Sequence, residues 1–156
     1  MNLFIRSTAD CDVIIRGYEF QNIHIGYIAS LSTSGNLVGN KLTIKTDGVS
    51  NLVLTNIVYN KVEVFLSSNS SVTLSGTAQR LDIIQLSQGT VDARFLSSSY
   101  ATVLTKNTGA VKVKSNDYLS IVVEGSGNVI WCSPRVDIKD DGAKNFVPSK
   151  IVHHCD

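Results

Sequence analysis

The sequence is poor in charged residues. Asp, Glu, Lys and Arg make up 17% of its 156 residues, against roughly 25% in an average soluble domain. Glutamate occurs only as Glu19, Glu63 and Glu124, whereas the exposed faces of long helices favour Glu and Lys. The composition therefore predicts an all-β chain that relies on neutral polar side chains for solubility.

Two classes of partner are disfavoured by what is missing. The net charge is +1, and the basic residues are scattered, whereas nucleic-acid binding needs a concentrated basic stripe. No apolar run reaches the length of about 18 residues that would span a membrane.

The opening residues 1–8 lack the apolar core of a signal peptide. We therefore expect a cytoplasmic chain, export by another route, or an envelope protein whose leader has been removed.

Cysteine is scarce and irregularly spaced. Cys11, Cys132 and Cys155 form an odd set, so the sequence predicts unpaired or partly buried thiols and not a disulfide framework. The tail residues 153–156 (His-His-Cys-Asp) have metal-ligand types, but adjacent histidines point to opposite sides of a strand. We expect no native metal site there, and no motif indicates a cofactor.

A short unit recurs along the chain: a small turn residue, an alternating apolar strand, a polar break and a second alternating strand. From Gly48, with Asn69 in the glycine position of the second copy, the steps are 21, 20, 20 and 18 residues. A fixed period in this range is typical of stacked units that bury their apolar sides against their neighbours.

The second strands of successive copies align in columns. Two columns are apolar and are expected to point inward: Val62, Leu81, Ala101, Leu119 and Val136, then Val64, Ile83, Val103, Ile121 and Ile138. Equivalent strands would then stack in parallel about 4.8 Å apart. The sequence thus predicts one β-solenoid domain over 1–156, with irregular N-terminal strands or a cap (1–34), repeating coils (35–138), and a C-terminal cap and tail (139–156).

The repeat resembles a known family. Residues 125–129 (Gly-Ser-Gly-Asn-Val) and 74–83 are similar to the repeat of auto-transporter adhesin "head GIN" domains, and the likeness covers about residues 12 to 147. It implies a right-handed parallel β-helix, usually exported in bacteria, with an adhesin-like label and a largely uncharacterised function; the coils would be the repeat units of about 20 residues. Most copies depart from the Gly-Ser-Gly spelling, as in residues 87–89 and 107–109.

Three outward columns are candidates for function. The acidic column contains Glu63, Asp82, Thr102, Ser120 and Asp137. Glu63 and Asp82 would lie about one strand spacing apart, close to the carboxylate separation of retaining glycosidases. The alternative is a solvated face on which Lys61 and Arg80 pair with these carboxylates, and we favour that alternative.

The tyrosine column contains Lys61, Arg80, Tyr100, Tyr118 and Arg135. We expect Tyr100 and Tyr118 to stack, with Arg80 and Arg135 beside them, as a platform for a sugar ring or a partner protein. The same residues would also suit a ladder that only stabilises the sheet.

The apolar column contains Phe65, Ile84, Leu104 and Val122. Outward apolar side chains in register normally mark a contact. Residues 1–34 could cover the column within the chain, or it could be a self-association surface of a homo-oligomer.

These columns predict a non-catalytic binding or adhesion module with a glycan or protein partner. A self-associating scaffold is the first alternative, and a polysaccharide-active enzyme using Glu63 and Asp82 is the second.

Overall fold

The computed structural model describes residues 1–7, 12–16, 19–27, 29–106, 108–139 and 151–155. Every regular element in these ranges is a strand, and all the strand pairings are parallel. The strands are β1 (Asn2–Ser7), β2 (Asp12–Arg16), β3 (Asn22–Tyr27), β4 (Ala29–Ser34), β5 (Leu37–Thr46), β6 (Ser50–Leu66), β7 (Ser71–Gln85), β8 (Thr90–Thr105), β9 (Ala110–Lys114), β10 (Tyr118–Val123), β11 (Asn128–Cys132), β12 (Val136–Lys139) and β13 (Ile151–His153).

The strands wind into a parallel β-solenoid of about six turns, with coils of about 20 residues. The longest strands bend within each coil: the register between β6 and β7 shifts between Leu54 and Ile57, where Asn56 has a φ of 56°. Asn is among the few residues that adopt this left-handed conformation readily. The predicted all-β solenoid is confirmed.

Alternation of side chains builds the core. Leu42, Val62, Leu81, Ala101 and Leu119 form one inward column, and all are buried. A second inward column contains Ile44, Val64, Ile83, Val103 and Ile121, also buried. Each fully buried aliphatic side chain of this size contributes roughly 1.5–3 kcal/mol of transfer free energy. The repeat of two inward residues per coil is therefore the main apolar stabilisation of the stack.

The last predicted members of these columns are less buried than expected. Val136 is only partly buried and Ile138 is 41% exposed. Both are in register with the inward residues Leu119 and Ile121. Among the described strands, β12 pairs with β10 alone, so no further described coil covers these two side chains.

The N-terminal strands extend the stack and do not fold over it. Asn2 pairs with Asn22, and Asn22 pairs with Thr43, so β1 and β3 continue the column pattern of β5. In the described part of residues 1–34, the strands lengthen the apolar column at one end, where Phe4 and His24 join it. They do not lie across Ile84, Leu104 or Val122, so the expected cover is not found in these ranges.

Candidate binding face

The three outward columns lie side by side on one surface, which we call the front face. It is formed by the end of β5 and by the second strand segment of each later coil. Successive strand pairings place Glu63 beside Asp82, Asp82 beside Thr102, and Thr102 beside Ser120. The other two columns follow the same register, two residues to either side. Surfaces that the sequence suggested as separate alternatives are therefore one continuous face.

Ion pairs between coils run along the front face. Lys61 Nζ lies 2.6 Å from Glu63 Oε1 and 3.1 Å from Asp82 Oδ2, so one ammonium group joins two coils. Lys41 Nζ lies 2.9 Å from the other oxygen of Glu63. Arg80 Nε donates to both oxygens of Asp82, at 3.0 and 3.1 Å. We call this set of five residues the ion ladder.

The electrostatics of Glu63 oppose a role as a catalytic acid. The hydrogen bond from Lys61 holds the pKa of Glu63 below its usual value, against the effect of burial, and Lys41 adds to the lowering. The pKa of Lys61 is raised, mainly by its hydrogen bond with Glu63 and then by its hydrogen bond with Asp82. A glycosidase acid needs a raised pKa instead. The geometry thus favours the ion-pair interpretation of this carboxylate pair.

The tyrosine column is the most exposed part of the front face. Tyr100 and Tyr118 are paired in register, with 51% and 37% of their surfaces exposed. The Tyr118 hydroxyl donates to Asp137 Oδ2 at 3.4 Å. The aromatic ring pairs found among the described residues are Phe4–His24 and Trp131–His153, so the expected stacking of the two tyrosines is not present.

The two arginines of this column differ in their surroundings. Arg80 is held by Asp82 in the ion ladder, although 55% of its side chain is exposed. Arg135 is exposed and precedes β12 by one residue, and its carbonyl accepts a hydrogen bond from the amide of Leu119. It therefore lies one step beyond Tyr118, as the predicted column requires.

The apolar column is half-buried. Phe65, Ile84, Leu104 and Val122 follow one another in register. A shallow cavity of about 250 Å³ lies against the first three of them, and its rim carries Glu63, Arg80, Asp82 and Thr102. Lys45 covers one end, with Nζ 5.7 Å from the centre of the Phe65 ring. The cavity thus joins apolar side chains to the charged groups of the ion ladder.

A family model matches residues 1–134 of this chain, and the family is described as "putative auto-transporter adhesin, head GIN domain". The match covers nearly all of the stacked coils. The chain belongs to this family. Comparison with curated proteins and with solved structures gave no significant match. The described ranges contain no helix that is long and apolar enough to cross a membrane.

The end of this head GIN chain holds a feature that the sequence did not predict. Cys132 and Cys155 form a disulfide, so the expectation of unpaired thiols is wrong for these two residues. Cys11 lies outside the described residues. The repeat could have predicted this disulfide. The two cysteines are 23 residues apart, which is close to the length of one coil, and residues about one coil apart are spatial neighbours.

The disulfide lies beside a second cavity on another side of the solenoid. This cavity has a volume of about 320 Å³ and is lined by Phe95, Ile130, Cys132 and His154, with Arg94 and Lys114 as its cations. Arg94 donates to Asp92 and lies 5.7 Å from the centre of the Phe95 ring. Burial raises the pKa of Asp92, but the hydrogen bonds from Arg94 outweigh this and leave it lowered. Arg94 is therefore largely committed to Asp92.

Proposed function

We propose that this chain is a non-catalytic binding module that presents its front face to a glycan or protein partner. The supporting observation is the register that places the tyrosine, acidic and apolar columns side by side. The face combines exposed aromatic rings, hydrogen-bonding groups and apolar surface, which are the components of recognition surfaces. Membership of an adhesin head family agrees with this role.

Tyr100 and Tyr118 are the residues that we expect to contact the partner first. They are the most exposed aromatic side chains of the front face, and a tyrosine ring offers contact area at a small cost in conformational entropy. Arg80 and Arg135 provide donors at either end of the pair. A sugar ring stacked on a tyrosine would have hydroxyl acceptors within reach of these cations.

The experiment measures binding of the purified chain to a panel of immobilised oligosaccharides and to extracellular matrix proteins. For the probe that the wild type binds, the double variant Tyr100→Ala, Tyr118→Ala should weaken binding at least tenfold. Phe95→Ala is the control, because Phe95 is an aromatic residue that is more exposed than either tyrosine and does not belong to the front face. Unchanged binding by the double variant, or equal loss in the control, would remove the front face as the site.

Self-association through the apolar column is a second candidate function. It is supported by the cavity along Phe65, Ile84 and Leu104, since apolar side chains in a shallow outward groove favour contact with another surface. If the wild type is oligomeric by light scattering, Leu104→Asp should make it monomeric, whereas Val49→Asp, at an exposed turn, should not. A monomeric wild type at all concentrations would exclude this candidate.

The ion pairs of Glu63 and Asp82 argue against a catalytic role for this carboxylate pair. Both Glu63 and Asp82 form ion pairs with cations of the ion ladder. The pKa of Glu63 is lowered by the hydrogen bond from Lys61, whereas a general acid needs a raised one.

A further inference from the structure

The last described strand brings two sulfur atoms and an imidazole together. Cys132 ends β11, His153 ends β13, and Cys155 follows two residues later. The ligand atoms of these three side chains all lie within 4.8 Å of one another. Cys155 Sγ is 3.2 Å from His153 Nε2. We call these three residues the C-terminal triad.

The separation of Cys155 Sγ from His153 Nε2, 3.2 Å, is close to the spacing that a tetrahedral metal ion imposes on its ligands. Zinc binds thiolate sulfur at about 2.3 Å and imidazole nitrogen at about 2.0 Å, which places neighbouring ligand atoms about 3.5–3.8 Å apart. Thiolate and imidazole are also the ligand types that zinc and other soft or borderline ions prefer. Once the S–S bond is broken, the two sulfur atoms can move apart to this spacing while both stay next to the imidazole of His153.

Strand pairing places His153 of the triad beside β11. Trp131 and His153 are paired in register on adjacent strands, and their ring centres are 4.6 Å apart. The amide of His154 donates to the carbonyl of Trp131 at 2.8 Å, continuing this pairing beyond β13. His153 and Cys155 are exposed and Cys132 is half-buried, so an ion has a path from solvent.

From this geometry we propose that the reduced chain binds one zinc-type divalent ion through Cys132, His153 and Cys155, and that the disulfide is the metal-free state. Reduction by a thiol reductant supplies two electrons and two protons. The S–S bond breaks, two S–H bonds form, and the reductant is oxidised to its own disulfide. Binding of the ion then displaces the two thiol protons as two metal–sulfur bonds form. This proposal departs from the sequence expectation of no metal site. That expectation rested on adjacent histidines pointing to opposite sides of a strand. Because His153 alone joins the two cysteines, the direction of His154 is no obstacle.

The test uses the full untagged chain with Co²⁺ as the probe, because Co²⁺ occupies zinc sites and reports its ligands spectroscopically. After reduction with a phosphine, the wild type should bind one Co²⁺ per chain, with sulfur-to-cobalt charge-transfer bands and the visible bands of tetrahedral geometry. Zn²⁺ should displace it. The oxidised chain should show neither set of bands.

Variants separate the triad from other ligands. Cys132→Ser and Cys155→Ser should each reduce the charge-transfer absorption and weaken Co²⁺ binding at least tenfold. His153→Ala should weaken binding by at least tenfold while leaving the sulfur bands. Cys11→Ser and His24→Ala are the controls and should bind as the wild type does. Far-ultraviolet circular dichroism checks that each reduced variant keeps the β-solenoid.

The proposal is overturned if the fully reduced, folded wild type shows no charge-transfer band with Co²⁺. It is equally overturned if Cys132→Ser binds Co²⁺ as tightly as the wild type. Neither result bears on the front face, so failure here leaves the proposed function untouched.

Discussion

Gly76 packs directly against the backbone of Ile57 in the neighbouring coil. A β-carbon at Gly76 would lie 2.1 Å from the carbonyl oxygen of Ile57, and Gly76 has a φ of +131°. The two residues are paired in register where the strands bend. Only glycine adopts this conformation at low cost, so this contact fixes how closely two coils can approach.

We expect Gly76→Ala to lower the free energy of unfolding by more than about 2 kcal/mol, because strain at positive φ of roughly 1–3 kcal/mol adds to a clash with backbone that cannot move freely. Urea denaturation followed by circular dichroism measures it. Ser75→Ala, at the adjacent half-exposed position, should change stability by less than about 0.5 kcal/mol. Equal stability of the two variants would contradict the close approach of the coils.

Removal of the buried hydroxyl of Thr105 should stabilise the fold. Thr105 Oγ1 and Gln85 Oε1 are buried, and among the described residues neither has a hydrogen-bond partner. An unpaired buried polar group costs about 1–3 kcal/mol, so Thr105→Val should raise the free energy of unfolding by about 1 kcal/mol. Thr43→Val is the opposite control, since the Thr43 hydroxyl donates to Glu63 Oε2 at 3.3 Å, and it should be destabilising. A destabilising Thr105→Val would show that the hydroxyl is satisfied.

Acid should weaken the fold through Glu63. Its pKa is lowered in the folded chain, chiefly by Lys61, so its contribution is present above the unfolded pKa of about 4.3. That contribution is lost as the pH falls through the lower folded value. Because the cations are partly exposed, we expect an effect of about 0.2–1 kcal/mol.

The measurement compares unfolding of the wild type and Glu63→Gln between neutral pH and acid pH. Glu63→Gln should be less stable at neutral pH, and the difference should shrink in acid. Glu124→Gln is the control: it removes the ion pair with Lys106 but leaves Glu63 in place. This variant should therefore still lose the Glu63 contribution in acid, as the wild type does. A gap between wild type and Glu63→Gln that widens in acid would contradict the assigned sign.

Loss of the disulfide should loosen the last strand without unfolding the coils. Among the described strands, β13 pairs with β11 alone. The Cys132–Cys155 disulfide also links β11 to the segment that follows β13. In Cys132→Ser we therefore expect faster hydrogen exchange at His154, whose amide donates to Trp131. Amides of the central strands, such as that of Leu81, should exchange as slowly as in the wild type. Faster exchange throughout the chain would mean that the bond stabilises the whole solenoid.

Much of the fold could be predicted from the sequence because its signals are local and repeated. Alternation places Val62 and Val64 on the same side of a strand, and a period of about 20 residues brings Leu81 and Ile83 beside them. These two periodicities suffice for a parallel stack with two inward columns. They also predicted the order of residues in the outward columns, from Glu63 through Asp82 to Thr102.

Only the tertiary structure decided what the side chains do once they are neighbours. The sequence suggested that Tyr100 and Tyr118 would stack, but Tyr118 donates to Asp137 instead. The reach of Lys61 to carboxylates on two coils depends on side-chain length and rotamer, which periodicity does not specify. The pairing of Cys132 with Cys155 depends on how the chain returns to the stack after β12. A repeat determines which backbones are adjacent, whereas contacts between flexible side chains depend on distances of a few tenths of an ångström.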